Sequence, residues 1–178
     1  MSEHAERFIG HLIALRERDT GAMAALRHSL TFKPGTYPRA FPYVERFVAA
    51  DRPANDARRL ALYAVAGLFA QHPEQQSRSF ATAFGELMKR RSKPKEPNRS
   101  IEQRFIALLE ADADNILDYL RQAISLLAAE DIGLDYVRLL DDLAVWMNPN
   151  ADRDRLRQRW ARELYRAAEF HTESDSAS

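Results

Sequence analysis

From its charged N-terminus to about residue 170 the chain repeats apolar residues at the three-and-four spacing of a helix. No segment sustains the alternation of apolar and polar residues, bounded by hairpin turns, that marks a half-buried strand. This pattern restricts the fold to the all-α class. A first helix is expected from about Glu3 to Arg18, with Phe8, Leu12 and Leu15 on one face. Asp19 is placed to cap a second, Gly21 to Leu30. Pro34, Gly35, Pro38 and Pro42 then make an irregular connector, because proline donates no backbone hydrogen bond and restricts the residue before it. Tyr37, Phe41, Tyr43 and Phe47 would pin this connector to the core. After a break at Asp51 to Ala54, a helix from about Asn55 to His72 carries the most apolar run, Leu60 to Ala70, and Pro73 follows its end. That run is far shorter than the roughly 20 residues of a membrane span. A further helix is expected over Glu74 to Met88.

Lys89 to Arg99 (KRRSKPKEPNR) loses hydrophobicity and holds two prolines, the pattern of a linker. Beyond it, Ser100 with Gln103 reads as a capping box opening a helix with Ile101, Phe105, Leu108, Leu109 and Asp112 on one side. Three more helices follow, about Asp114 to Ala129, Asp135 to Met147 and Ala151 to Phe170, divided by Gly133 and the Asn148-Pro149-Asn150 turn. The expected architecture is a two-lobed helical bundle of about eight or nine helices. Its segments are an N-terminal lobe 1–88, a basic linker 89–99, a C-terminal lobe 100–170 and a polar, disordered tail 171–178.

With 46% hydrophobic and 29% charged residues, the 178-residue chain has the composition of a folded protein. Lys plus Arg and Asp plus Glu are both 26, so there is no global basic field, and any affinity for nucleic acid must rest on local patches. The absence of cysteine removes disulfides and thiolate chemistry and fits a reducing compartment. The opening MSEHAERF lacks the basic and apolar runs of a signal peptide, so the expected location is cytoplasmic.

The chain carries no recognisable catalytic motif. The six glycines are scattered, so neither a phosphate-cradling loop nor a dinucleotide fingerprint can be assembled. His4 and His11 lie two turns apart on one helix, roughly 10 Å, whereas metal ligands each sit about 2 Å from a zinc ion. They read as surface histidines. Asp112 with Asp114, and Asp141 with Asp142, occupy alternate or adjacent helical positions that point different ways, which suits caps and solvated faces better than an acid/base pair. No nucleophile elbow marks a Ser-His-acid arrangement. No catalytic residue, metal ligand or cofactor is expected.

Positive charge, by contrast, is organised. The linker sets Lys89, Arg90, Arg91, Lys93, Lys95 and Arg99 against Glu96 alone. Such a segment suits phosphate, because close contacts release counterions from the nucleic acid, and it equally suits a merely soluble connector. On the last helix Arg155, Arg159, Arg162 and Arg166 form a stripe opposite Leu156, Trp160 and Leu164. Glu163 and Glu169 make an ordinary mixed-charge surface of it. Trp146 and Trp160, amid apolar helical positions, read as core anchors.

Several segments together resemble the CasB family, the small subunit of the type I-E CRISPR surveillance complex Cascade. DTGAMAALR at Asp19 to Arg27 is similar to the family's first motif. LALYAVAGLFAQHP at Leu60 to Pro73 resembles its central apolar helix. EQRFIALLEAD at Glu102 to Asp112, LRQAISLL at Leu120 to Leu127, DYVRLLDDLAVW at Asp135 to Trp146 and RQRWARELY at Arg157 to Tyr165 follow the family's order. The resemblance implies a non-enzymatic helical protein, present as two copies, whose partners are guide RNA, target DNA, the CasC backbone and the large subunit CasA. It also implies that basic residues contact the guide and target strands and steady the displaced strand. Carried over singly, Arg27 closes the first motif, Arg104 belongs to E-x-R-F, and Arg121 to the L-R pair. Arg58 and Arg59 lie where the family places basic character before the central helix, and Arg58 is carried over from the pair. With Lys89, Arg90, Arg91, Lys93 and Arg99 of the linker these make up the candidate nucleic-acid site. Two departures stand out: Ser79 to Phe84 reads SFATAF where members often carry S-L-G-x-A-L, and Glu110 and Ala113 replace residues that are basic in some relatives. A helical protein-interaction adaptor with no nucleic-acid role is the rival reading, separated by salt-dependent nucleic-acid binding. A hydrolase with dispersed catalytic residues would need a pocket joining perturbed acids and bases.

Overall fold

The computed structural model describes residues 2–169. The described residues form nine α-helices, joined in places by short 3-10 turns, with no strand: α1 Glu3–Arg18, α2 Thr20–His28, α3 Phe41–Val44, α4 Ala57–Gln71, α5 Phe80–Arg90, α6 Arg99–Glu110, α7 Ile116–Ala129, α8 Tyr136–Trp146 and α9 Asp154–Ala168. The all-α class and the number of helices agree with the periodicity. The expected disordered tail at 171–178 lies outside the described residues, as does Phe170. No helix among the described residues is long and apolar enough to cross a membrane.

Local chemistry sets the helix starts. Side-chain oxygens of Ser2, Asp19, Asp56, Ser79, Asn98 and Asp135 each accept from backbone N–H groups of the following first turn. A cap of this kind stabilises a helix by about 1 kcal/mol. Two expectations need correction. The helix anticipated from Ser100 opens one residue earlier, at Arg99, because Asn98 rather than Ser100 is its cap. The helix anticipated over Glu74 to Met88 begins only at Phe80. Residues 74–79 instead pair with 134–135 through the backbone, with Gln76 N–H donating to Leu134 O (2.9 Å), Leu134 N–H to Glu74 O (3.1 Å) and Asp135 N–H to Arg78 O (2.7 Å). Backbone groups paired in this way are unavailable to a helical ladder.

Lys89 and Arg90 end α5 and Arg99 opens α6, so residues 91–98 alone connect them. Ser92 folds that connection tightly, donating through Oγ to Met88 O (2.6 Å) and accepting from Asn98 N–H (2.8 Å).

Helices from the two ends of the chain interleave. α4, apolar nearly all round, packs on α2 and α8, while α5 packs along α9. The α5–α9 approach is close enough that a Cβ on Gly85 would stand 2.4 Å from Leu164 O. Trp146 and Trp160 are buried with ring centroids 5.1 Å apart, as core anchors should be. The buried apolar side chains form one cluster from Ala5 to Ala168. A division at 89–99 is thus a proposal about chain segments and not a gap in the core.

Candidate nucleic-acid interface

α7 organises the site. Arg121, on its half-exposed flank, donates through Nη1 to Leu30 O (2.7 Å), which ties α7 to the turn after α2. From the α4 side, Gln71 donates through Nε2 to Arg121 O (3.1 Å) and Ser125 Oγ (2.6 Å). Above these bonds lies an open polar groove of about 610 Å³ lined by Arg27, Leu30, Gln71, Asp118, Arg121, Gln122 and Ser125. Arg27 is exposed at its edge, one residue after buried Leu26. Asp118 offsets part of the positive charge there.

Gln122 also lines a neighbouring, mainly apolar hollow, bordered by exposed Arg104, with Phe84, Ala107, Tyr119, Ala123 and Leu126. Arg27, Arg104 and Arg121, read from three separate segments, therefore border two adjoining depressions along α7. The structure does not bring the remaining candidates to this place. Arg58 lies within reach of Ser2 Oγ (3.2 Å) and 3.9 Å from the Asp141 carboxylate, beside a different hollow shared with His4 and Phe47. The linker bases sit at the C-terminal end of α7, where Arg90 donates to Glu130 O (3.2 Å) and Arg91 pairs with the Glu130 carboxylate at 3.0 Å. Arg121 and Glu130 are nine residues apart on α7 and its cap, roughly 14 Å along the axis. Lys89, Lys93 and Arg99 are exposed, Lys93 and Arg99 in a shallow hollow shared with Arg91.

Burial sorts the other charged residues. Arg59, adjacent to Arg58, is 9% exposed and structural. It donates through Nε and Nη2 to the Glu45 carboxylate (3.3 and 3.2 Å), through Nη1 to Ala54 O (2.9 Å) and through Nη2 to Gly35 O (3.1 Å), with its guanidinium carbon 4.9 Å from the Tyr63 ring centroid. Partial burial pushes the Glu45 carboxyl up, but hydrogen bonds from Tyr63 and Arg59 and the arginine's charge outweigh it and hold it below the usual range. Asp142 is not the solvated acid expected: it accepts from Trp160 Nε1 (2.8 Å) and from Arg159, and burial nevertheless pushes its carboxyl up. His11 is half-buried, paired with Tyr43 O (2.9 Å) and packed on Phe47. Of the α9 stripe, Arg155, Arg162 and Arg166 are exposed, while Arg159 is held by Asp142.

Sequence reasoning missed Gln71, Gln122 and Ser125, the neutral polar lining of the groove. No signal in one sequence marks them as a lining, because only the packing of α4 beside α7 brings Gln71 to Gln122 and Ser125, which share a face of α7. Among the described residues no group of three or more His, Asp or Glu side chains is placed to hold a metal ion.

Fold and site together define a class: an all-helical scaffold carrying arginines along open surface grooves. The model of the family described as CRISPR-associated protein Cse2 matches residues 22–165. The chain is 43% identical over 166 residues to the CRISPR-associated protein Cse2 of Thermus thermophilus, covering 91% of this chain and 90% of that relative. It superposes on the crystal structure of CasB from Thermus thermophilus with a TM-score of 0.76 at 43% identity, over 93% of this chain and 99% of that one. A chain of a CRISPR RNA-guided surveillance complex shares the fold, with a TM-score of 0.74 at 22% identity over 93% and 94% of the two chains. The protein belongs to the CRISPR-associated Cse2, or CasB, family.

Proposed function

We propose that this chain is the non-catalytic small subunit of a type I-E CRISPR surveillance complex, Cascade, in which it holds guide RNA and target DNA by their backbones and stabilises the R-loop in antiviral defence. The observation that carries the reading is the placement of Arg27, Arg104 and Arg121 along two adjoining depressions beside α7. Family membership supports it, and so does the shared fold with a chain of an RNA-guided surveillance complex.

Guanidinium groups fixed on helices suit phosphate oxygens, which position a strand without reading its sequence. Specificity then comes from guide pairing. Forming the guide–target hybrid exchanges one duplex for another of similar stability, so modest contacts to opened strands can tip the balance. Lys89, Lys93 and Arg99 form an outlying set. Arg58, Arg90 and Arg91, which line neither of these depressions, contribute less. The proposed partners are CasA, the CasC backbone and a second copy of this chain.

The test is co-expression of the tagged chain with the other Cascade subunits and a guide locus. Recovery of a stoichiometric assembly containing guide RNA is expected. Recovery of protein partners without any effect of the arginines on nucleic-acid binding would favour the adaptor reading.

A further inference from the structure

The connector between α2 and α4 combines charge and aromatic rings in a way the α7 grooves do not use. From Thr20 to Val44 the chain contains Arg27, Lys33 and Arg39 and no Asp or Glu. Tyr37, Phe41, Tyr43 and Phe47, the rings expected to pin the connector, do pack against the core. Phe32 does not turn inward: it is 45% exposed. Its ring lies on that of Tyr37, with centroids 4.9 Å apart and planes 6° from parallel. His28 stands edge-on to both, 5.6 Å from Phe32 and 5.2 Å from Tyr37.

Hydrogen bonds tie the turn that carries this stack to the rest of the fold. Thr36 closes the turn beneath it, donating through N–H (3.2 Å) and Oγ1 (2.7 Å) to Lys33 O. Gly35, at φ +78°, takes the left-handed conformation the turn requires, and buried Arg59 donates to its carbonyl, rooting the turn in α4. The platform also adjoins the polar groove: Leu30, whose carbonyl accepts from Arg121, lies in the 3-10 turn Ser29–Thr31 that leads directly into Phe32.

A polynucleotide strand alternates charged phosphates with flat apolar bases. Proteins that hold single strands accordingly combine basic tracks with aromatic faces. We propose that the His28, Phe32 and Tyr37 stack is a platform for an unpaired base of a single-stranded nucleic acid whose phosphates run past Arg27 and Lys33. This rests on the nucleic-acid reading given above. An exposed ring already lying parallel to a second one offers a base a stack to extend, and the run Thr20 to Val44, with Arg27, Lys33 and Arg39 and no acidic residue of its own, outweighs the single Asp118 of the adjoining groove and favours phosphate beside it.

The experiment uses the full chain and a short labelled oligothymidylate, intact or with abasic positions, titrated at several salt concentrations. Phe32→Ala is expected to weaken binding of the intact strand roughly 5- to 150-fold, the range for one lost base stack. The slope of log affinity against log salt should stay unchanged, since no phosphate contact is lost. Arg27→Ala should instead flatten that slope by about 0.7. Phe32→Tyr should retain affinity. The Phe32→Ala chain should bind the intact and abasic strands more nearly alike than the wild type does. If Phe32→Ala binds like the wild type while Arg27→Ala has its effect, the platform is overturned and the backbone reading stands. An equal loss on intact and abasic strands places the effect in the fold and also overturns the platform. So does unchanged oligonucleotide binding with loss of co-purifying Cascade subunits, which would make the patch a protein contact. Wild-type binding that is absent, or insensitive to salt and to Arg27→Ala, overturns both.

Discussion

At Arg59 a single guanidinium holds the connector, joining α4 to Glu45 and to the carbonyls of Ala54 and Gly35. Replacing it with methionine leaves these acceptors short of donors while filling much of the space. Glu45 is about half exposed, which screens its charge, so the expected cost is about 2 kcal/mol, a figure set by unmatched buried hydrogen bonds and not by a desolvated ion pair. Arg58→Ala, at an exposed site, should stay within about 0.5 kcal/mol. Urea midpoints at constant m separate the two. A Glu45 carboxyl held below its ordinary 4.5 contributes stability that is present above that value and lost as pH falls through the lower folded pKa. Asp142, raised above 3.8, acts in the opposite sense, with a contribution lost as pH rises through its folded pKa. The difference in unfolding free energy between the wild type and Arg59→Met should therefore shrink on acidification from about pH 5.5 to pH 3. A gap that widens with acid would contradict the assignment. Arg58 and Arg59 are indistinguishable as a sequence pair; the partner that separates them, Glu45, sits in a proline-rich connector no periodicity can place.

Among the elements, two glycines give opposite predictions. Gly85 lies where α5 meets α9, and an added methyl would press on the Leu164 carbonyl, so Gly85→Ala should destabilise by roughly 1 to 3 kcal/mol through overpacking. Gly10 is exposed within α1 with nothing within 4 Å of an added Cβ, and Gly10→Ala should stabilise by about 0.5 to 1 kcal/mol. Thermal unfolding of the pair checks both signs. Most helices were legible because their stripes and caps are local: Asp19 and Asp135 announce α2 and α8 within a few residues. Residues 74–79 misled the reading because their backbone partners lie at 134–135, far along the chain, and tertiary pairing overrode a weak helical pattern.

For the whole molecule, the interleaving of α4 with α8 and α5 with α9 makes the two chain segments depend on each other. A fragment of residues 1–88 would expose Phe80, whose ring packs 5.2 Å from Trp160, and Phe84, 5.8 Å from Phe105. It should lack the sharp thermal transition of the full chain; a cooperative, native-like melt of the fragment would contradict this. The site was legible only through family resemblance, which named Arg27, Arg104 and Arg121 singly. That they share one surface follows from α6 and the turn after α2 meeting α7, which helical periodicity does not encode.

The central claim is that these three arginines hold nucleic-acid backbone. Assembled wild-type complex and a complex carrying Arg27→Ala, Arg104→Ala and Arg121→Ala would be compared for target binding across a salt series, on two unrelated target sequences, with Lys89→Ala, Arg90→Ala, Arg91→Ala as a parallel set. The account predicts intact assembly and weaker binding to both targets. It also predicts a log–log salt slope flattened by about 0.7 for each lost single-strand phosphate contact, with a smaller change for the parallel set. An assembled triple variant with unchanged affinity and slope would contradict it.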